Sequence, residues 1–87
     1  MAGLSLRQFE RKFFNIFHTT PKHYLMRLRV LLACDELLET RQTITEIALA
    51  VGFNSSQYFA TVFKEFTDVD ARSFRAQARA SNGRKIK

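Results

Sequence analysis

Between Thr43 and Phe66 the apolar residues fall three or four positions apart in two short runs, Ile44, Ile47, Ala48 and Val51, then Phe59, Val62, Phe63 and Phe66. That spacing puts each run on one face of a helix. Gly52 lies between them and stops the first helix by permitting a left-handed turn. Thr43-Ile44-Thr45-Glu46 fits a capping box, in which the Thr43 hydroxyl and the Glu46 carboxylate satisfy reciprocal backbone donors. Ser55 is placed to cap the second helix. A short helix, a tight turn and a second amphipathic helix describe a helix-turn-helix unit.

The same period runs through the rest of the chain. Ser5 precedes Leu6, Phe9, Phe13, Ile16 and Phe17, which predicts a capped helix over about residues 5–17. Thr20-Pro21 opens a longer helix over about 21–39, with a hydroxyl at the cap and proline in the first turn. Its apolar stripe is read as Tyr24, Leu25, Leu28, Leu31, Leu32 and Leu38. Asp70 is placed to cap a last helix carrying Phe74 and Ala78, and Ser81-Asn82-Gly83 reads as the start of fraying, so 80–87 is expected to be a basic flexible tail. No alternating strand pattern or linker interrupts this order. An all-α fold of one small domain follows, since 87 residues cannot build two independent cores.

Charge and chemistry narrow the function. The net charge is +6, and from Ala71 onward there are Arg72, Arg75, Arg79, Arg84, Lys85 and Lys87 and no acid. Up to Arg29 the bases Arg7, Arg11, Lys12, Lys22, Arg27 and Arg29 face only Glu10, whereas Val30 to Asp70 is acidic. The basic surface is thus expected at the two chain ends, a pattern that favours a polyanion there. Cys34 is a single cysteine, and His18 and His23 stand five apart, off one helical face, so no disulfide, metal site or cofactor is expected. No paired carboxylates, nucleophile set or phosphate-cradling glycine loop points to an enzyme. No run of about 18 apolar residues predicts a membrane span, and the chain is read as soluble and cytoplasmic.

On a helical wheel Gln57, Ala60, Thr61 and Lys64 oppose the phenylalanine face of the second amphipathic run, with Ser56 at the margin. Such a face can enter a DNA major groove: glutamine bonds two edge atoms of adenine, serine and threonine reach several base edges, and alanine and threonine methyls touch thymine methyls. Lys64 suits a phosphate. The alternative from these residues alone is a helical hairpin whose polar side meets water.

At this point the residues resemble a family. "ITEIALAVGFNSSQYFATVFKEF" is similar to the second helix-turn-helix of the arabinose-regulator (AraC/XylS) transcription factors, with its IAxxxGF, YF and FK. "LSLRQFERKF" looks like the first recognition helix of that domain, and "TTPKHYLMRLRVLLACDELLET" resembles its inter-motif helix, SPxxYLxxxRLxxAxxLL. The resemblance runs from about Gly3 to Arg75. It implies two helix-turn-helix units held apart by a connecting helix and reading successive major grooves of double-stranded DNA, in a nucleoid-associated regulator, an activator where the domain contacts RNA polymerase. Residues 1–39 then hold the remnant of the first unit and the connecting helix, and 40–79 the second, homeodomain-like unit with the final helix. Carried over by position, Arg7, Gln8, Glu10 and Arg11 face bases in the first unit, and Ser56, Gln57, Ala60 and Thr61 in the second. Ser5, Ser55 and Lys64 serve the DNA backbone.

The resemblance has departures. It implies supporting helices before Gly3, where this sequence has Met1 and Ala2, so the first unit is expected to be truncated and the face of Leu6, Phe9, Phe13 and Phe17 to need cover. A homodimer through that face is one expectation, and a protein-interaction or self-associating module that does not bind DNA alone is the alternative function. Phe14 replaces the lysine of FK, His18 stands where the family has glycine, and Asp68-Val69-Asp70-Ala71 replaces G-x-T-P. The sugar-binding or dimerisation domain of many members has no counterpart in these residues.

Overall fold

Hydroxyl and carboxyl caps set the helix starts, and each lies where its side chain reaches an N–H three residues on. The computed structural model describes residues 5–85, with side chains through Ala80, as five helices: α1 (Leu6–Phe17), α2 (Pro21–Glu39), α3 (Ile44–Ala50), α4 (Ser56–Thr67) and α5 (Ala71–Lys85). Ser5 Oγ accepts the Gln8 N–H at 3.1 Å while Gln8 Oε1 accepts the Ser5 N–H at 3.1 Å, a complete capping box. Thr43 and Glu46 form a second one, at 3.1 and 2.9 Å. Thr20, Ser55 and Asp70 cap α2, α4 and α5 singly. No strand occurs among the described residues.

The core lies between α2 and the last three helices. Phe59, Phe63, Leu37 and Ile47 are its largest fully buried side chains, with Val30, Ala33, Ala48, Phe53 and Ala71 around them. Each large side chain contributes roughly 1.5–3 kcal/mol of apolar burial. Aromatic contacts continue the packing, Phe53 to Phe59 at 5.3 Å, Phe59 to Phe63 at 5.5 Å and Phe63 to Phe74 at 5.7 Å.

Two expectations are corrected. The buried face of α2 is Val30, Ala33 and Leu37, with Met26 and Cys34 partly buried beside it, and not the leucine stripe. Leu25, Leu28, Leu31 and Leu32 are 40–56% exposed. Positions 26, 30, 33 and 37 also recur at three and four, so α2 carries two apolar faces, and the small Ala33 lets α3 and α4 approach on this one. The last helix runs on through Ser81-Asn82-Gly83 to Lys85, where the sequence predicted a tail; Ile86 and Lys87 lie outside the described residues.

Turn geometry follows from backbone conformation. Gly52 ends α3 at φ 107°, outside the range that side chains adopt comfortably. His18 and Asp68 cap the C-termini of α1 and α4 at φ 61° and 67°, the left-handed region in which glycine is usual.

Candidate nucleic-acid interface

The outward side of α4 is set by its inward one. Phe59, Val62 and Phe63 are locked in the core, so Gln57, Ala60, Thr61 and Lys64 on the opposite side are exposed, and Ser56 is half-buried at the margin. The Ser55 hydroxyl oxygen is occupied by the Tyr58 N–H, and the Thr61 hydroxyl donates to the Gln57 carbonyl at 3.2 Å. The Gln57 amide and the Ala60 and Thr61 methyls therefore form an open surface on a rigid helix. Ser56, Gln57 and Ala60 line one groove with Thr45, Asp70 and Arg72. Ala60, Thr61 and Lys64 border a second, shallower depression shared with Glu65 and Asp70.

The first set lies on α1. Arg7, Gln8, Glu10 and Arg11 are all exposed, as is Ser5. Gln8 is partly spent, because its carbonyl oxygen closes the capping box, leaving its amide hydrogens free to donate. α1 is anchored by Phe13 and Phe17, whose rings lie 5.6 and 5.5 Å from Tyr24 at the start of α2. None of its residues is buried, and Leu6 and Ile16 are 72% and 68% exposed.

Electrostatics modify the expected basic ends. Arg75 Nε donates to the Leu37 carbonyl at 3.0 Å and its guanidinium to the Thr40 carbonyl at 3.1 Å, and Arg79 reaches the same Thr40 oxygen. These two arginines cap the C-terminal end of α2, whose dipole favours cations. Burial, and the charge of Arg79, lower the Arg75 pKa. Near α4, the Ser73 backbone N–H and hydroxyl hold the Asp70 carboxyl below the usual carboxylate range, with the Lys64 charge adding to them, so Asp70 stays anionic beside the polar face. Burial and Asp35 raise the Cys34 thiol. Among the described residues no group of three or more His, Cys, Asp or Glu is placed to hold a metal ion, and no helix is long and apolar enough to cross a membrane.

With an α3–turn–α4 unit and a connecting α2 in place, similarity to known proteins decides the family. The helix-turn-helix domain family matches residues 1–77. The chain is an AraC-type helix-turn-helix domain. The HTH-type transcriptional activator RhaS of Yersinia pestis is 38% identical over 75 residues, covering 86% of this chain and 28% of that protein. The HTH-type transcriptional regulator ArgR of Pseudomonas aeruginosa is 33% identical over 79 residues, 91% of this chain and 24% of that one. An AraC-type transcriptional regulator from Chromobacterium violaceum superposes with a TM-score of 0.79 at 36% identity, covering 86% of this chain and 67% of its own. The DNA-binding domain of AdpA, solved with a target DNA, gives 0.84 at 28% identity, covering 88% of this chain and 69% of its own. The chain thus spans about a quarter of the length of these two curated relatives. The AraC-type family is one of DNA-binding transcription regulators and not a class of enzymes.

Sequence reasoning missed Arg72 and Thr45 as neighbours of the α4 face. Both lie on other helices, and no spacing along the chain links them to Gln57.

Proposed function

We propose that this AraC-type chain binds double-stranded DNA sequence-specifically, laying α4 and α1 in successive major grooves, and thereby regulates transcription. The observation that carries the reading is the fixed α4, with Phe59 and Phe63 fully buried and Gln57, Ala60, Thr61 and Lys64 turned to solvent on a small polar face. In this reading Gln57 takes an adenine edge, Ala60 and Thr61 meet thymine methyls, Ser56 reaches a base edge at the rim, and Arg7 or Arg11 grips guanine through O6 and N7. Gln8 and Glu10 flank that contact, while Ser5, Ser55 and Lys64 serve the phosphates. The 19 residues of α2 span about 28 Å at 1.5 Å per residue, near the 34 Å of one DNA turn.

Selection of bound duplexes from a random library at near-physiological salt tests the proposal. Two enriched boxes about one helical turn apart are expected; no enrichment at all ends the reading. Arg11→Ala should then relax one position of the site at a cost of about 1–3 kcal/mol, whereas Lys64→Ala should weaken all sequences alike. Equal losses for both variants on every sequence would refute these roles. Activation belongs to the same reading, supported by the name of the RhaS relative, a transcriptional activator; contact with RNA polymerase and a place on the nucleoid are proposed with it.

A second reading is self-association. One observation favours it: Leu25, Leu28, Leu31 and Leu32 of α2 and Leu6, Phe9, Ile16 and Phe17 of α1 are all at least 40% exposed. Two copies of α2 packed antiparallel would bring the basic half, with Lys22 and Arg27, against the acidic half, with Asp35, Glu36 and Glu39.

A further inference from the structure

The groove beside α4 has a composition that the base-reading roles leave unused. It is an open trough of about 530 Å³, and α3, α4 and α5 each contribute to its walls. One side is Ser56, Gln57 and Ala60, the surface assigned above to bases; the others bring Thr45 from α3 and Arg72 from α5, with Asp70 between. Arg75 and Arg79, which share α5 with Arg72, are bonded to carbonyls at the end of α2 and face away from this task. Arg72 is exposed and lines the trough. The Arg72 guanidinium and the Thr45 hydroxyl, which line the same trough, are donors suited to phosphate oxygens, and the trough adjoins the α4 face assigned to the major groove.

Asp70 opposes that attraction. It lines both this trough and the shallower depression that Lys64 borders, and its bonds to Ser73 fix it there as the cap of α5. An anion at this place raises the cost of bringing any phosphate close, whatever the sequence.

We propose that this trough is the seat of one DNA phosphate strand, held by Arg72, and that Asp70 limits how tightly non-specific DNA is held there. The inference rests on the DNA-binding reading of α4. It adds a contact from the last helix and an acid that lowers the affinity for every duplex alike, so that at a given concentration only sites with good base contacts stay well occupied.

The test is fluorescence titration of random-sequence and library-selected duplexes with the wild-type chain, Arg72→Ala and Asp70→Asn, at about 50 to 300 mM salt. Asparagine also caps helices, so the second variant removes the charge and keeps the cap; circular dichroism checks that both keep their helicity. Arg72→Ala should weaken both duplexes by a similar factor, about three- to tenfold, and reduce the slope of log affinity against log salt by about 0.9. Asp70→Asn should tighten the random duplex about two- to fivefold, and the selected one by no more. Unchanged affinity and slope for Arg72→Ala, or a loss confined to one base position, overturns the phosphate contact; unchanged or weaker binding by Asp70→Asn overturns the role of the acid. If the wild-type chain binds no duplex, the DNA-binding reading falls and this inference with it, whereas wild-type binding with indifferent variants removes this inference alone.

Discussion

Gly52 is the residue on which the turn between α3 and α4 depends. Its φ of 107° is strained for any side chain, and a β carbon there would stand 2.9 Å from Arg29 Nε. The Arg29 guanidinium lies 5.8 Å from the centre of the Phe53 ring, so the arginine covers the turn while packing against the core. Gly52→Ala should therefore destabilise the chain by about 1–2 kcal/mol, read from the urea midpoint. Asp70 gives a pH dependence. Its carboxyl titrates below the ordinary value in the folded chain, so its stabilising contribution is present above a pH of about 3.9 and is lost as pH falls through the lower folded value. Urea titrations on the acid side should show a shallower loss of stability for Asp70→Ala than for the wild type.

At the scale of elements, α2 organises the fold. One face, Val30, Ala33 and Leu37, closes the core against the last three helices, and its C-terminal carbonyls are bonded by Arg75 and Arg79 from α5. Charged hydrogen bonds of this kind hold α5 across the end of α2 and satisfy carbonyls that have no partner within the helix. Arg75→Ala should cost about 1–3 kcal/mol in equilibrium unfolding, more than an exposed arginine on α1 such as Arg7. The contrast with α1 is one of packing. That helix is joined to α2 through a few aromatic contacts and has no buried residue, so its order depends on Phe13, Phe17 and Tyr24.

The whole molecule is elongated, 53 × 28 × 23 Å, with a radius of gyration of 16.2 Å. A compact chain of this length would have about 12 Å. The excess reflects helices that extend beyond the core, and with them comes the apolar face of α1 and α2. If a second copy covers that face, sedimentation equilibrium at about 10 μM should give a dimer for the wild type and a monomer for Leu32→Lys, whose side chain is already 56% exposed in the single chain. A wild-type monomer at that concentration would end the self-association reading. Salt separates this association from DNA binding, since phosphate contacts weaken steeply as salt rises and apolar burial holds or strengthens.

What the sequence determined is what three or four neighbouring residues decide among themselves. The caps at Ser5, Thr20, Thr43, Ser55 and Asp70 are bonds to N–H groups three residues away, and the polar face of α4 follows from the period of its phenylalanines. The tertiary structure decided everything that needed a partner from elsewhere in the chain. It chose Val30, Ala33 and Leu37 over the leucine stripe of α2, because both faces are apolar and only the neighbouring helices select one. It drew Arg75 to a carbonyl 38 residues away, which turned part of the basic end of the chain into a structural cap. It set Arg72 and Asp70 beside Gln57 from a different helix, a juxtaposition that no helical period can encode.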